Sequence, residues 1–228
     1  MKEFQEADQL KFWAANDVLF KGDIVSDVTL SLSEKYIGNN VVDVGAGSGA
    51  LLKNFKNRYN SNKEIVAIDL VPKSEFVKNG NCTNLSFEKN SFDTFFCTDV
   101  IEHLIDEDLN KCLTEANRVL KKKGYGIFTT VNNENLRDFI VYCPQCGCTF
   151  HRWGHCQVFD EARIKNLFQN KGFVIVELRK INLKFIAVFK SFARIFYFLK
   201  VDKLLNKILE DSFFEKDLFI VVKKVREL

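Results

Sequence analysis

The stretch that decides the fold runs from residue 40 to residue 52 and reads Asn-Val-Val-Asp-Val-Gly-Ala-Gly-Ser-Gly-Ala-Leu-Leu. Its apolar opening predicts a short buried strand, and its apolar end predicts the first turn of a helix. Gly45, Gly47 and Gly49 lie between the two, where the absence of Cβ atoms lets the chain turn sharply and lets a ligand approach the backbone. The following helix directs unpaired N–H groups and a partial positive charge at that ligand.

A carboxylate lies at the position where a nucleoside ligand would present its ribose. Asp69 ends the second predicted strand, about twenty residues after the glycines, and a carboxylate there suits a pair of ribose hydroxyls. Gly45, Gly47 and Ala50 also match the pattern of dinucleotide-binding proteins. The residues therefore predict a nucleoside-type ligand and leave a nicotinamide or flavin dinucleotide open as the alternative.

Outside this motif, strands alternate with helices along the chain. This order predicts an α/β fold with a Rossmann-like, mostly parallel seven-stranded sheet that is flanked by helices. The 228 residues suffice for one domain, which we assign to residues 1–228, with a small Cys/His insertion at 140–158. The predicted strands are residues 40–44, 64–69, 84–87, 92–98, 125–131, 174–178 and 218–222.

Two further segments carry a resemblance to a known family. Residues 92–104 read Phe-Asp-Thr-Phe-Phe-Cys-Thr-Asp-Val-Ile-Glu-His-Leu, and residues 118–124 read Arg-Val-Leu-Lys-Lys-Lys-Gly. With Asp43 two residues before the first glycine, roughly residues 38–132 resemble class I S-adenosylmethionine-dependent methyltransferases, especially the broad small-molecule group. The resemblance implies S-adenosylmethionine as cofactor and methyl transfer as the activity.

The same resemblance implies residue roles around the cofactor. Gly45, Ala46 and Gly47, followed by the third glycine, Gly49, would line its amino-acid part, and Asp43 would support the loop and the ammonium group. The structural alternatives are that Asp43 is a buried, hydrogen-bonded turn residue and that Asp69 only terminates its strand, although the spacing of Asp69 favours the ribose contact. The family's pattern further implies these contacts: Asp69 to the ribose hydroxyls, Leu70 to the adenine, Asn81 and Cys82 to the adenine amino group, and Thr98 and Asp99 to the edge of the pocket.

His103 is the candidate catalytic residue. It follows Glu102 directly after the fourth strand, near the end of the sheet where this family binds its acceptor. The alternative is structural, because residues 99–102 also read as an acidic capping box in which Glu102 caps a helix and His103 lies in its first turn. Class I methyltransferases share no universal catalytic residue, so the resemblance leaves the base unassigned.

Cysteine and histidine crowd into residues 143–156. Cys143, Cys146, His151 and His155 follow the spacing C-x2-C-x4-H-x3-H, which predicts a structural zinc site with two thiolate and two imidazole ligands. Cys148 is a spare ligand, as is the cysteine at 156. The alternative is a reduced loop whose histidines only form hydrogen bonds. If His155 were not a zinc ligand, it would be the best general-base candidate on the chain.

The remaining predictions concern partners. Residues 183–211 mix aromatic and basic residues, which predicts a helical cap or lid, and peripheral membrane contact or a homodimer interface is the alternative. The charged N-terminus lacks an apolar signal region, so we expect a cytoplasmic protein. A net charge of +3 does not favour nucleic acid. We expect a small-molecule, sugar or lipid-linked acceptor, with an NAD(P)-dependent oxidoreductase or a non-catalytic cofactor- and zinc-binding protein as alternatives.

Overall fold

The structure, a computed structural model, describes residues 9–15, 23–59, 62–186 and 216–228. Within them, seven strands form one sheet in the order β3-β2-β1-β4-β5-β9-β8. β9 runs antiparallel to β5 and β8, and the other neighbours pair in parallel, so the predicted Rossmann-like, mostly parallel sheet is confirmed. The strands are β1 Asn40–Val44, β2 Glu64–Asp69, β3 Lys78–Asn79, β4 Phe92–Thr98, β5 Leu120–Val131, β6 Ile140–Tyr142, β7 Thr149–His151, β8 Phe173–Ile181 and β9 Asp217–Lys224, of which β6 and β7 form a separate hairpin.

Helices cover both faces of this sheet. On one face, Leu113 and Phe168 pack in a large buried cluster with Val42 and Phe95. On the other face, Phe55 and its neighbours pack on the alternate residues of the same strands, as the two-residue side-chain period of a strand requires. The helices are α1 Gln9–Ala15, α2 Asp23–Ser33, α3 Ala50–Tyr59, α4 Asp106–Val119 and α5 Glu161–Asn170.

The prediction of the third strand at residues 84–87 is wrong. Two residues, Lys78–Asn79, pair with β2 instead. The backbone of residues 84–87 is bound by side chains of α4 rather than by a strand: the N–H of Leu85 donates to Glu115, and the guanidinium of Arg118 donates to the carbonyls of Leu85 and Phe87. These charged partners satisfy the polar groups that a sheet ladder would otherwise need.

The helix that the capping-box interpretation of residues 99–102 requires begins later in the chain. A short 3-10 turn, Ile101–His103, comes first, and α4 begins at Asp106. Asp99 has a left-handed backbone, with φ of 53°, and its N–H donates to the carbonyl of Thr129. The capping-box interpretation of Glu102 is therefore wrong, and its side chain is available for the site described below.

The predicted cap at residues 183–211 lies mostly outside the described residues. Residues 183–186 are helical, and Leu183 is buried against Val28 of α2. None of the described helices combines the length and the apolar character that crossing a bilayer requires.

The strand order determines where a site can form. β1 lies between β2 and β4, so the connections leave it in opposite directions, and a crevice opens at the carboxyl ends of β1 and β4. The loops after β1, β2, β4 and β5 all meet at this edge of the sheet. They carry the glycines, Asp69, Asp99 and the residues that follow Val131.

Candidate functional site

The glycine loop after β1 leaves open space. Gly45 has φ of 77°, and a Cβ at this position would lie 2.2 Å from Cγ2 of Val100, so only glycine fits there. Gly47 has φ of 53°, and a Cβ added to it would meet no atom within 4 Å. The N–H groups of Gly45 and Ala46 donate to the carbonyl of Ile68 at 2.9 and 3.0 Å, which ties the loop to β2. Gly49 ends the loop where α3 begins.

Asp69 at the end of β2 holds the loop in place. Its Oδ2 accepts from the N–H of Gly47 and its Oδ1 from the N–H of Val71, each at 2.8 Å. A carboxylate oxygen accepts two hydrogen bonds, so both oxygens of Asp69 can also accept from a ligand's hydroxyls. The predicted ribose contact and a structural role are therefore compatible.

Asp43 is the most unusual group of the loop. It is 1% exposed, and neither carboxylate oxygen has a hydrogen-bond partner among the described residues. Burial, and then the nearby charge of Asp69, raise the pKa of Asp43 from its ordinary 3.8 to about 7. A buried carboxylate without a partner is costly, which indicates that a cationic or donor group of a ligand completes its surroundings.

The residues predicted at the adenine end differ in what they can offer. Leu70 is half-buried next to Asp69. The side-chain oxygen of Asn81 accepts from the N–H and the hydroxyl of Thr83, both at 2.9 Å, so it serves a local turn. The thiol of Cys82 interacts with Cys112 in the core, which together with burial raises its pKa. These two side chains are thus already engaged within the protein.

At the end of β4, Thr98 and Asp99 reach the same edge. The hydroxyl of Thr129 donates to Oδ1 of Asp99 at 2.8 Å. Burial raises the pKa of Asp99, although the bond from Thr129 acts in the opposite direction. Together with Asp43 and Asp69, Asp99 gives the crevice an excess of carboxylates.

Glu102 and His103 lie beside this crevice and are buried. The hydroxyl of Thr130 donates to Oε2 of Glu102 at 3.0 Å, and burial, followed by the charge of Asp99, raises the pKa of Glu102 well above its usual range. Burial, followed by the electrostatic effect of the neighbouring His155 imidazole, lowers the pKa of His103 to about 3. His103 is therefore neutral at physiological pH, and its buried Nδ1 has no hydrogen-bond partner in the described part of the chain.

Two more histidines and a glutamate adjoin this pair. Nδ1 of His155 lies 2.5 Å from Oε2 of Glu134, and Nε2 of His151 lies 3.9 Å from Oε1 of the same carboxylate. The rings of His103 and His155 meet edge to face with centroids 4.8 Å apart. Trp13 of α1 packs edge to face on His103, so the first helix covers the group from outside.

The structure does not bring the four predicted zinc ligands together. The thiols of Cys143, Cys146 and Cys148 form one group at the tip of the β6–β7 hairpin, while His151 and His155 belong to groups with Glu134 and Glu102. His151 follows Cys148 by three residue steps of extended strand, which corresponds to roughly 10 Å. The prediction of one zinc site formed by Cys143, Cys146, His151 and His155 is therefore corrected, because the thiols and the imidazoles belong to separate groups.

The three cysteines at the tip form a thiol group of their own. The N–H of Cys143 donates to the carbonyl of Cys148 at 2.9 Å, and the sulfur atoms of Cys146 and Cys148 lie 2.8 Å apart. Hydrogen bonding from Cys148 lowers the pKa of Cys146 to about 7. Such thiols are suited to bind a soft metal ion as thiolates.

Sequence reasoning missed Glu134, Thr129 and Thr130. A signal for them was present, because polar residues at the end of β5 meet the ends of β1 and β4 in a parallel sheet. The partners of Glu134 could not be predicted, since His151 and His155 return to this edge only through the hairpin.

Comparison with known proteins defines the class. Residues 22–178 match the model of a family described as a methyltransferase domain. Because the match spans more than half of the chain, the chain belongs to this family, that of the S-adenosylmethionine-dependent methyltransferases of class I. The match favours this class over the dinucleotide oxidoreductases.

One curated protein resembles the chain in sequence, and solved structures resemble it in fold. An uncharacterized protein, MJ0638 of Methanocaldococcus jannaschii, is 28% identical over 196 residues, which are 82% of this chain and 78% of that protein. A methyltransferase structure from Methanosarcina mazei superposes with a TM-score of 0.59 at 17% identity, over 86% of this chain and 98% of that chain. The 1,6-didemethyltoxoflavin-N1-methyltransferase of Burkholderia thailandensis, solved with S-adenosylhomocysteine, gives 0.63 at 13% identity, over 96% and 86%. These structural likenesses concern the fold.

Proposed function

We propose that the chain transfers the methyl group of S-adenosylmethionine to a small-molecule, sugar or lipid-linked acceptor. The observation that carries this proposal is the unpartnered Asp43 carboxylate beneath an open glycine loop, next to the family's Asp69. S-adenosylmethionine supplies an electrophilic methyl group on a sulfonium sulfur.

The residues present fit this cofactor. Its ammonium group would complete the buried Asp43, and its ribose hydroxyls would use the free lone pairs of Asp69. Gly47 has no Cβ, and the open space beside it can hold the amino-acid part of the cofactor. The excess of carboxylates, to which Asp99 contributes, matches the net positive charge of the cofactor.

The acceptor would lie beside Glu102, His103 and His155. This group is buried and covered by Trp13, so it excludes water from the reacting atoms. A pKa of about 3 makes His103 a poor general base near neutral pH, which weakens the predicted acid–base role of this residue. These residues would therefore act by orienting the acceptor and by accepting hydrogen bonds through the lone pairs of His103 and His155.

The three cysteines of the hairpin tip are proposed as the zinc site in place of the Cys2His2 set. Three thiolates would leave the fourth tetrahedral position to water or to another group. Cytoplasmic location, a homodimer and peripheral membrane contact through residues 183–211 stay predictions from the sequence.

The test of the proposed function is calorimetric titration with S-adenosylhomocysteine. Wild type should bind one equivalent, and Asp69→Ala should bind at least about tenfold more weakly, because hydrogen bonds to a charged group contribute about 1.5–3 kcal/mol each. Asp108→Ala, which removes a carboxylate of α4, is the matched control and should bind as wild type does.

Thermal unfolding of each variant separates lost binding from lost folding. An Asp69→Ala protein that is folded and binds with wild-type affinity contradicts the ribose role. A wild-type protein that binds NAD(P) and ignores S-adenosylhomocysteine contradicts the proposed function as a whole.

A further inference from the structure

We propose that Glu102, His103 and His155 form a binding site for one divalent cation, with Glu134 and Gly154 orienting the two imidazoles. One ligand atom from each of Glu102, His103 and His155 lies within 4.8 Å of the others. Two imidazoles and a carboxylate are a donor set for Mn²⁺, Fe²⁺ or Zn²⁺, and they leave coordination positions open.

The protonation of His155 suits this role. Its Nδ1 is 2.5 Å from the carboxylate of Glu134, so Nδ1 carries the proton and donates it. Nε2 then keeps its lone pair. A carboxylate on the far nitrogen is the arrangement that orients metal-bound histidines in proteins and raises their basicity.

The protonation of His103 suits it equally. The backbone of Gly154 raises the pKa of His103, against the effect of burial, which is the direction expected when the ring points an N–H at the carbonyl of Gly154. Nδ1 has no hydrogen-bond partner among the residues that the structure describes, which leaves Nε2 as the donor and Nδ1 as a buried lone pair. An unused lone pair in the interior indicates a missing partner, and a cation is the partner that accepts it.

His151 is not a ligand in this proposal, although it lies close by. Its Nδ1 accepts from the N–H of His155 at 3.1 Å and from that of Trp153 at 3.3 Å. The proton of the neutral ring is therefore on Nε2, which faces Glu134 at 3.9 Å. Among the described residues Nε2 of His151 has no hydrogen-bond partner, but it would have to lose its proton before it could bind an ion, so the neighbouring group of Glu134, His151 and His155 is the less favourable site.

The scaffold holds the three ligands independently of the hairpin tip. The N–H groups of Cys156 and Gln157 donate to the carbonyl of Glu102 at 2.8 and 3.2 Å. The chain that carries His155 is thus attached to the turn that carries Glu102 and His103. Thr130 fixes the Glu102 carboxylate, so the donors are arranged before a cation arrives.

The test is titration of the chelator-treated protein with Mn²⁺, followed by the electron paramagnetic resonance signal of the free ion. Mn²⁺ prefers oxygen and nitrogen donors, so the thiols of the hairpin do not compete. Wild type should bind one equivalent, and Mn²⁺ should raise its thermal stability. His103→Asn and the isosteric Glu102→Gln should each lower the affinity by more than about tenfold, and Glu134→Gln by about 10–100-fold.

His151→Asn and Cys146→Ser are the matched controls and should bind Mn²⁺ as wild type does. Retained affinity in folded His103→Asn and Glu102→Gln overturns the proposal, as does loss of binding in His151→Asn alone, which would place the ion in the other group. A wild type that binds no stoichiometric Mn²⁺ overturns it too. S-adenosylhomocysteine binding of the same preparations reports folding, and its absence in wild type contradicts the proposed function without deciding the cation site.

Discussion

Replacing Asp43 by asparagine should make the protein more stable at alkaline pH and weaker in cofactor binding. Burial raises the pKa of Asp43 to about 7 from 3.8. The folded protein therefore binds a proton more tightly than the unfolded chain, and its stability falls as the pH rises from about 4 to about 7. Above that range the full penalty applies, which is about 4 kcal/mol for a rise of about three in the pKa.

Asparagine does not titrate, so the Asp43→Asn substitution removes this group's contribution to the pH dependence of stability. Linkage gives a loss of about 2–3 kcal/mol for wild type between about pH 5 and about pH 8 from this one group. The other buried carboxylates titrate in both proteins and cancel in the difference. The amide needs partners of its own at a cost of about 1–3 kcal/mol, so the net stabilisation at pH 8 is smaller than the full penalty.

Two measurements check this reasoning. Urea unfolding of wild type and Asp43→Asn at both pH values shows how much more the free energy of unfolding of wild type changes with pH than that of the variant. Calorimetry with S-adenosylhomocysteine measures the binding affinity of each protein. Wild-type affinity should rise as the pH passes 7, because the ionised Asp43 pairs with the ligand's ammonium, whereas that of Asp43→Asn should stay low and flat. Equal pH dependence of stability in the two proteins would refute the raised pKa, and equal affinities would refute the ammonium contact.

Two further predictions concern the hairpin tip and the core. Cys143→Ser should lower the zinc content of the purified protein, measured by elemental mass spectrometry, while Cys156→Ser, outside the thiol group, should keep it; equal zinc in both would remove Cys143 as a ligand. Phe168→Ala should cost about 3–5 kcal/mol in urea unfolding, because Phe168 is fully buried and its ring packs 4.7 Å from that of Phe128. Phe76→Ala, at a residue 68% exposed, should change stability by less than about 0.5 kcal/mol, and a comparable loss in both would contradict the assigned core.

The cofactor half of the site was predictable from sequence because its determinants are local. The glycine loop, Asp43 and the strand that precedes them lie within a single run of residues, and the bounds predicted for β1, β2 and β4 agree with the structure. Asp69 follows at the spacing that one strand–helix–strand unit imposes. Each of these signals depends on backbone geometry over a few residues.

The prediction failed where side chains far apart in sequence decide the backbone. Residues 84–87 have a strand-like sequence, yet their backbone groups form hydrogen bonds with Glu115 and Arg118, which lie on a helix about thirty residues further along the chain. The sequence of residues 84–87 by itself does not predict these partners. The same holds for Glu134, whose importance depends on where His155 returns to the sheet.

The spacing of the cysteines and histidines misled for a related reason. In a compact knuckle, four residues between Cys146 and His151 let the chain turn back on itself. Here those residues enter β7, and pairing with β6 extends them away from the tip. The register of a two-stranded hairpin thus separates thiols from imidazoles, and it carries the imidazoles to the edge of the sheet.

Because the thiols and the imidazoles are separated, the insertion offers two different groups of ligands, whereas a single zinc site would have used both. The hairpin tip offers thiols, which suit a soft structural ion, and its base delivers His155 to the carboxylate of Glu134 and the carbonyl of Glu102. The chain that carries His155 is held by the bonds from Cys156 and Gln157 to the carbonyl of Glu102, whether or not the tip carries an ion. Loss of metal at the tip should therefore leave the donors of the histidine group in place, which is why a substitution at the tip serves as the control for the cation site.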